Sequence, residues 1–412
     1  MIHWISDLIG TGAYKDVPDL STAFAKVDVR ALIDGQGNGD SAIRAIIDSA
    51  VYRINAGQKV VLCCDYGRSR SNAIAAAVLA TCNNTPLATE LRHVCNAVAD
   101  AKIDVRFLAD VERAMGTLKF CDPVPSPAEF LILGSSPLAP LVKSSLLANN
   151  HSARLIPENK VKPSQLYMEV RSAQCAAIVD LTKTTDFNST ESLGQRVALT
   201  KDLVEICLAT KARLLHCSSF EVFDRYTTNG LVADETTPLH PRSNFGIACA
   251  VSESLIEDAT RYDSLNATVL RMSRVFGPNY DSRRLPMRFF AMVNAGLSIE
   301  VHRCLNGDPA LDLLFETDAV NAIVAAARSE ISGVFNIGSG HLTSTQRIAE
   351  SYSTILGSEN KIQLTEVSRL ASNIALNSQR ASQVFGWQPA VGLKEALKLV
   401  AASSTTLADT NS

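Results

Sequence analysis

The sequence predicts two α/β domains, the second built on a doubly wound parallel sheet. Three observations carry that expectation. At 412 residues the chain is longer than one ordinary hydrophobic core supports. Apolar, strand-like runs alternate with helical patterns along its length. The stretch CDPVPSP (121–127) has no periodicity and places three prolines in seven residues, so it reads as a linker. The expected division is a first domain over 1–120, a linker over 121–127, a second domain over 128–402 and a disordered tail over 403–412.

In the first domain HWISDLIG and DVRALID read as strands, and SAIRAIIDSAVYRIN as a helix ended by Ala56-Gly57. KVVLCC reads as a buried strand, and the loop DYGRSR leads into the helix SNAIAAAVLATC. TELRHVCNAVADA and RFLADVERAMG are helical. In the second domain the strands are EFLILG, AAIVDL, ARLLHCSS and NATVLRMS. Helices are expected around TKDLVEICLAT and over NFGIACAVSESLIEDA.

Composition narrows the class. Hydrophobic residues make up 46% and charged residues 20%, which excludes a disordered or collagen-like chain. Lys and Arg total 39 against 42 Asp and Glu, a net charge of -3, so any anion must bind through a local feature. The ten cysteines include no C-x-x-C pair, and reduced, mostly buried thiols are expected. MIHWISDLIG lacks a cationic leader and carries Asp7. The apolar run from Ala73 to Cys82 is short of the ~20 residues of a membrane span. A cytoplasmic protein without a membrane span is expected. No cluster has metal-ligand spacing.

One loop concentrates chemistry. Cys64-Asp65-Tyr66-Gly67-Arg68-Ser69-Arg70-Ser71 lies between a predicted strand and a predicted helix. A short loop feeding a helix aims backbone N–H groups, backed by the positive helix end, at one point. Arg70 could add a bidentate fork to an anion, and the same field lowers the Cys64 pKa. Ser71 could stabilise the thiolate. Asp34, in the glycine-rich segment DGQGNGD, is the expected general acid, whereas Asp40 suits the start of a helix.

With these residues in view, the first 120 residues resemble the dual-specificity branch of the cysteine-dependent protein tyrosine phosphatases. The resemblance implies Cys64 as nucleophile, Arg70 as phosphate clamp, Asp34 as acid and Ser71 as assistant, with Asp65, Tyr66, Gly67, Arg68 and Ser69 forming the phosphate-binding loop. Cys63 replaces that family's usual His, which points to weaker activity. The neighbouring thiols 63 and 64 suggest redox sensitivity.

From Phe130 onward the chain resembles the extended short-chain dehydrogenase/reductase family of NAD-dependent epimerases and dehydratases. FLILG, LLHCSSFEVFD, LRMSRVFGP, FETDAV, GVFNIGSG and FGWQPAVGLKEAL follow in that order. The resemblance implies a Rossmann-like sheet. Of its dinucleotide glycines Gly134 remains, while Pro137 and Pro140 stand at the other two positions. The family's Tyr–Lys relay reads Phe245 and Cys249, leaving Ser219 alone at the serine position. On this reading NAD(P) binding is doubtful, and the domain is a degenerate one for positioning, sensing or homodimerisation.

The function expected from sequence is therefore a metal-independent phosphomonoester hydrolase that needs no cofactor. Its partner would be a phosphorylated protein, phosphoinositide, RNA end or sugar phosphate. The alternatives are a scaffold that binds phosphorylated ligands and a nucleotide-sugar oxidoreductase or epimerase.

Overall fold

Residues 1–19, 21–116, 129–157, 162–182, 190–357 and 361–409 are described by a computed structural model of the chain. They fall into two units. The first gathers Met1–Leu131, Asn159–Ala176 and Asp202–Ala212, and the second holds the remainder. The segment read as a linker, 121–127, lies outside the described residues.

The first unit contains β1 (Ile2–Trp4), β2 (Ile9–Ala13), β3 (Ala25–Asp28), α1 (Asp40–Asn55), β4 (Val60–Cys64), α2 (Arg70–Asn83), α3 (Leu87–Ala97) and α4 (Val105–Met115). Its sheet runs β1-β2-β4-β3, with β4 parallel to both neighbours. Every residue of β4, VVLCC, is buried, as a strand covered on both faces requires. The alanines of α2 let it approach closely, and Arg70 through Ala80 are all buried. The strand expected over DVRALID is corrected: β3 ends at Asp28. The Asp28 carboxylate accepts the Arg30 N–H at 2.9 Å, and Leu32 N–H turns back to Val29 O at 3.2 Å. Asp34 therefore sits in a loop beyond the strand.

The remaining chain supplies β5 (Phe130–Leu133), α5 (Leu138–Ala148), β6 (Ala153–Ile156), α6 (Pro163–Ser172, in the first unit), β7 (Ala177–Asp180) and α7 (Thr190–Thr210). Next come β8 (Arg213–Ser219), β9 (Leu231–Ala233), α8 (Asn244–Tyr262), β10 (Ala267–Met272) and β11 (Arg274–Phe276). They are followed by α9 (Met287–Asn294), β12 (Ile299–Arg303), β13 (Ala310–Phe315), α10 (Glu316–Arg328) and β14 (Gly333–Ile337). Among the described residues the main sheet has the order β14-β10-β8-β7-β5-β6, with β7, β8, β10 and β14 parallel. Strand order reverses between β5 and β7. In such sheets the crevice outside the carboxyl ends at this point is where ligands bind.

A separate core around Phe276, Phe290, Phe315 and Tyr352 packs the C-terminal part of the second unit. Its helix Leu393–Asp409 runs into the segment read as a tail, of which 410–412 lie outside the described residues. Among the described residues no helix is long and apolar enough to cross a membrane.

Candidate functional site

The cysteine loop forms as its spacing predicts, between β4 and α2. Gly67 adopts φ +69°, and a Cβ there would lie 2.6 Å from Ala13 N and Gly12 C, so the loop can rest on β2 only as glycine. Buried Asn72 pins it, donating to Gly67 O at 3.1 Å and Arg68 O at 3.0 Å while accepting Thr11 Oγ1–H at 2.8 Å.

Gly67 N–H donates to Cys64 Sγ at 3.2 Å, and Ser71 Oγ lies 3.3 Å from the sulfur. Burial works to raise the Cys64 pKa. Hydrogen bonds from Ser71, Gly67 and Tyr66 outweigh it, and the thiol sits below its ordinary value. Cys63 packs with Val17 and Val61, and burial pushes its thiol up to about 12. Successive side chains of β4 point to opposite faces of the sheet, so the Cys63 and Cys64 thiols sit in different surroundings.

The groups expected to clamp and protonate a phosphate already have partners within the chain. Arg70 donates through Nη1 to Leu32 O at 2.7 Å and Arg30 O at 3.3 Å, and through Nη2 to the Asp65 carboxylate. Asp34 accepts Ser69 Oγ–H at 2.5 Å. Arg68 pairs with Asp100 at 3.2 Å on the exposed surface, and Tyr66 is 79% exposed. Asp65 thus places a carboxylate in the loop that was expected to cradle an anion, and it holds the guanidinium there.

A cleft of about 200 Å³ lies at the carboxyl end of the second sheet. It is lined by Ser136 to Leu138 after β5, Leu181 and Thr182 after β7, Cys217 to Glu221, Phe245, and Met272 to Phe276. Gly134 opens its turn with φ +130°. A Cβ there would lie 2.2 Å from Leu181 O, so the close approach to the chain after β7 needs glycine. Ser136 Oγ accepts the Leu138 N–H at 3.3 Å at the start of α5.

Three charged residues with no place in the expected site also line the cleft: Glu221, Arg274 and Arg284. Glu221 follows β8 and accepts Ser243 Oγ–H at 2.8 Å; Ser243 also caps α8. Arg274, first residue of β11, stacks over Phe220 at 5.4 Å, and its buried Nε has no acceptor. Burial works against its charge, with Arg284 acting in the same direction and Glu221 opposing. Glu221, Arg274 and Arg284 also line an adjoining cavity of about 260 Å³. Glu221 and Arg274 lie inside SSFEVFD and MSRVFGP, so an unexpected charge in an otherwise apolar landmark was the available signal.

The relay positions are placed at the same cleft. Ser219 Oγ accepts the Glu221 N–H at 3.2 Å, and Phe245 lines the cleft wall. Cys249, one turn along α8, is fully buried, and burial pushes its thiol up to about 11. Among the described residues no three His, Cys, Asp or Glu side chains are placed to hold a metal ion.

Comparison with known proteins concerns this second part. Residues 149–338 match the family model described as the NAD dependent epimerase/dehydratase family. UDP-glucuronic acid decarboxylase 1 of Xenopus tropicalis is 23% identical over 249 residues, 59% of this chain and 58% of that protein. The chain spans about three fifths of the length of the curated relatives it first matches. UDP-glucose 4-epimerase of Thermotoga maritima with UDP-glucose superposes with a TM-score of 0.59 at 20% identity, over 68% of this chain and 99% of that one. MoeE5 in complex with UDP-glucose and NAD gives 0.59 at 20%, over 68% and 100%.

These findings overturn three expectations. The phosphomonoester hydrolase is corrected, since the relatives are nucleotide-sugar decarboxylases, epimerases and dehydratases. The reading of epimerase or dehydrogenase activity as lost is corrected by the same relatives. The doubt over NAD(P) is corrected by the structural neighbour solved with NAD and UDP-glucose. Residues 149–338 thus match the epimerase/dehydratase family model, and the sheet of the second unit has the Rossmann-like parallel fold of these structural neighbours.

Proposed function

We propose that the second unit binds a nucleotide sugar together with a nicotinamide dinucleotide and acts in the epimerase, dehydratase and decarboxylase class. The observation that carries this is the cleft at the switch point, lined both by the turn that Gly134 opens and by Glu221, Arg274 and Arg284.

The fit to a dinucleotide rests on Gly134. Its φ and its close approach to Leu181 are what a turn needs to bring backbone near a pyrophosphate. Pro137 and Pro140 remove two N–H donors, so Ser135 and Ser136 are the residues that would hold the pyrophosphate. The dinucleotide would supply hydride chemistry. Arg274 and Arg284 suit the diphosphate of the sugar nucleotide, with guanidinium forks that match phosphoryl oxygens. Phe245 has no phenol to exchange a proton, which leaves the Glu221 carboxylate, oriented by Ser243, as the acid–base group facing the sugar.

The test is a panel of UDP-glucose and UDP-glucuronic acid with NAD+, followed by binding calorimetry and by chromatography of the products. NAD+ and at least one sugar nucleotide should bind, and Glu221→Gln should suppress conversion while leaving binding in place. Wild-type protein that binds neither ligand sinks the reading.

A further inference from the structure

The relay positions lack a cation on α8, yet the cleft floor has one. Arg196 on α7 is 6% exposed. It donates through Nη1 to Thr182 O at 3.3 Å and through Nη2 to Cys217 O at 3.0 Å. Its guanidinium carbon lies 5.3 Å from the Phe245 ring centroid, and its buried Nε has no acceptor. Thr182, Cys217 and Phe245 all line the cleft, so the guanidinium lies directly behind its wall. The Cys249 thiol stands beside it. Both positions where the family resemblance leads one to expect Tyr and Lys therefore touch this one arginine.

The surroundings keep the group charged. Burial opposes the charge, and the nearby Asp180 carboxylate supports it. Asp180 accepts from His216 Nδ1 at 2.7 Å in a fully buried pair. Burial would raise the Asp180 pKa, but the His216 hydrogen bond and the Arg196 charge bring it down to about 2. A carboxylate and a guanidinium are thus buried within reach of each other, in a low-dielectric setting where fixed charges act strongly.

We propose that Arg196 is a positioning residue that supplies, from α7, the fixed positive charge of the cleft floor, in place of a cation at position 249. The inference rests on the proposed dinucleotide site. Its physical core is an exclusion: a guanidinium at Arg196 and an ammonium at position 249 would be two like charges sharing one buried site. The floor accommodates one of them. The Phe245 ring, backed by the guanidinium, is the surface on which that charge reaches a bound dinucleotide.

The test is a charge-exchange cycle on the whole chain: Arg196→Gln, Cys249→Lys, the double variant, and Arg196→Lys as control. Melting temperature without ligand and the NAD+ dissociation constant are read for each. Cys249→Lys alone should lower the melting temperature by several degrees, and adding Arg196→Gln should restore most of that loss. Arg196→Gln should weaken NAD+ by about tenfold, as loss of a desolvated charge does, with Arg196→Lys and the double variant within about threefold of wild type. Arg196→Gln failing to fold while the double variant folds is also the expected exchange. Losses that simply add in the double variant overturn the proposal, as does wild-type NAD+ affinity in Arg196→Gln. Failure of wild type to bind NAD+ would instead strike the proposed function, and the melting temperatures would still report on the exchange.

Discussion

Cys64 shows how much a single residue's setting decides. Its sulfur receives the Gly67 N–H and lies against Ser71 Oγ, which holds the thiol pKa below its ordinary value. Between the folded and unfolded pKa values the unfolded chain binds more protons, so stability from this group rises with pH across that window. It is fully present above the unfolded value and lost as pH falls through the folded one. Thiolate ultraviolet absorbance should titrate earlier in wild type than in Cys64→Ser, and Ser71→Ala should move that step to higher pH. An unchanged curve in Ser71→Ala would show that the hydroxyl does not hold the thiolate. Gly134 makes the matching case in the second unit. Gly134→Ala would push a Cβ to 2.2 Å from Leu181 O at a positive φ. It should cost more than about 1 kcal/mol of stability in urea denaturation and weaken NAD+ binding with it.

At the scale of elements, Glu253 ties α8 to two strands. It accepts Arg271 Nε–H at 3.0 Å and Nη2–H at 2.8 Å from β10, and Ser218 Oγ–H from β8, with both charges at least nine-tenths buried. Glu253→Ala leaves a buried guanidinium without its counter-charge and should cost about 3–5 kcal/mol, read as a lowered urea midpoint. Arg271→Met combined with Glu253→Leu should recover much of that loss. The elements themselves were legible: β4, α2, β7, β8, α8 and β10 stand where apolar runs and periodicity place them. DVRALID misled because its apolar residues continue past Asp28, while the Asp28 carboxylate turns the chain through the Arg30 N–H. The cysteine loop was legible as geometry and misleading as chemistry. Its spacing reveals a helix-start loop, but whether Arg70 is free or held by Leu32 O and Asp65 depends on a loop that comes 38 residues earlier. Arg196 had no sequence signal, since its meeting with Phe245 comes from packing α7 and α8 on one sheet face.

For the molecule as a whole, a net charge of -3 says little about where anions go. In the cysteine loop Arg68 and Arg70 are paired with Asp100 and Asp65. Arg274 and Arg284 line the cleft, with Arg196 behind its wall, and these are the cations on which the proposed function draws. A ligand that binds only the folded chain stabilises it by mass action, about 2.7 kcal/mol at one hundred times its dissociation constant. NAD+ or UDP-glucose at such concentrations should therefore raise the melting temperature of the wild-type chain. Cys64→Ser should retain both responses, because its loop lies in the first unit and the cleft in the second. Arg274→Ala should lose most of the UDP-glucose response and keep that to NAD+, since on the proposed function its guanidinium holds the sugar nucleotide's diphosphate while the Gly134 turn takes the dinucleotide. Equal loss of both responses in Arg274→Ala would mean that the arginine supports the cleft as a whole and does not hold the sugar nucleotide's phosphates.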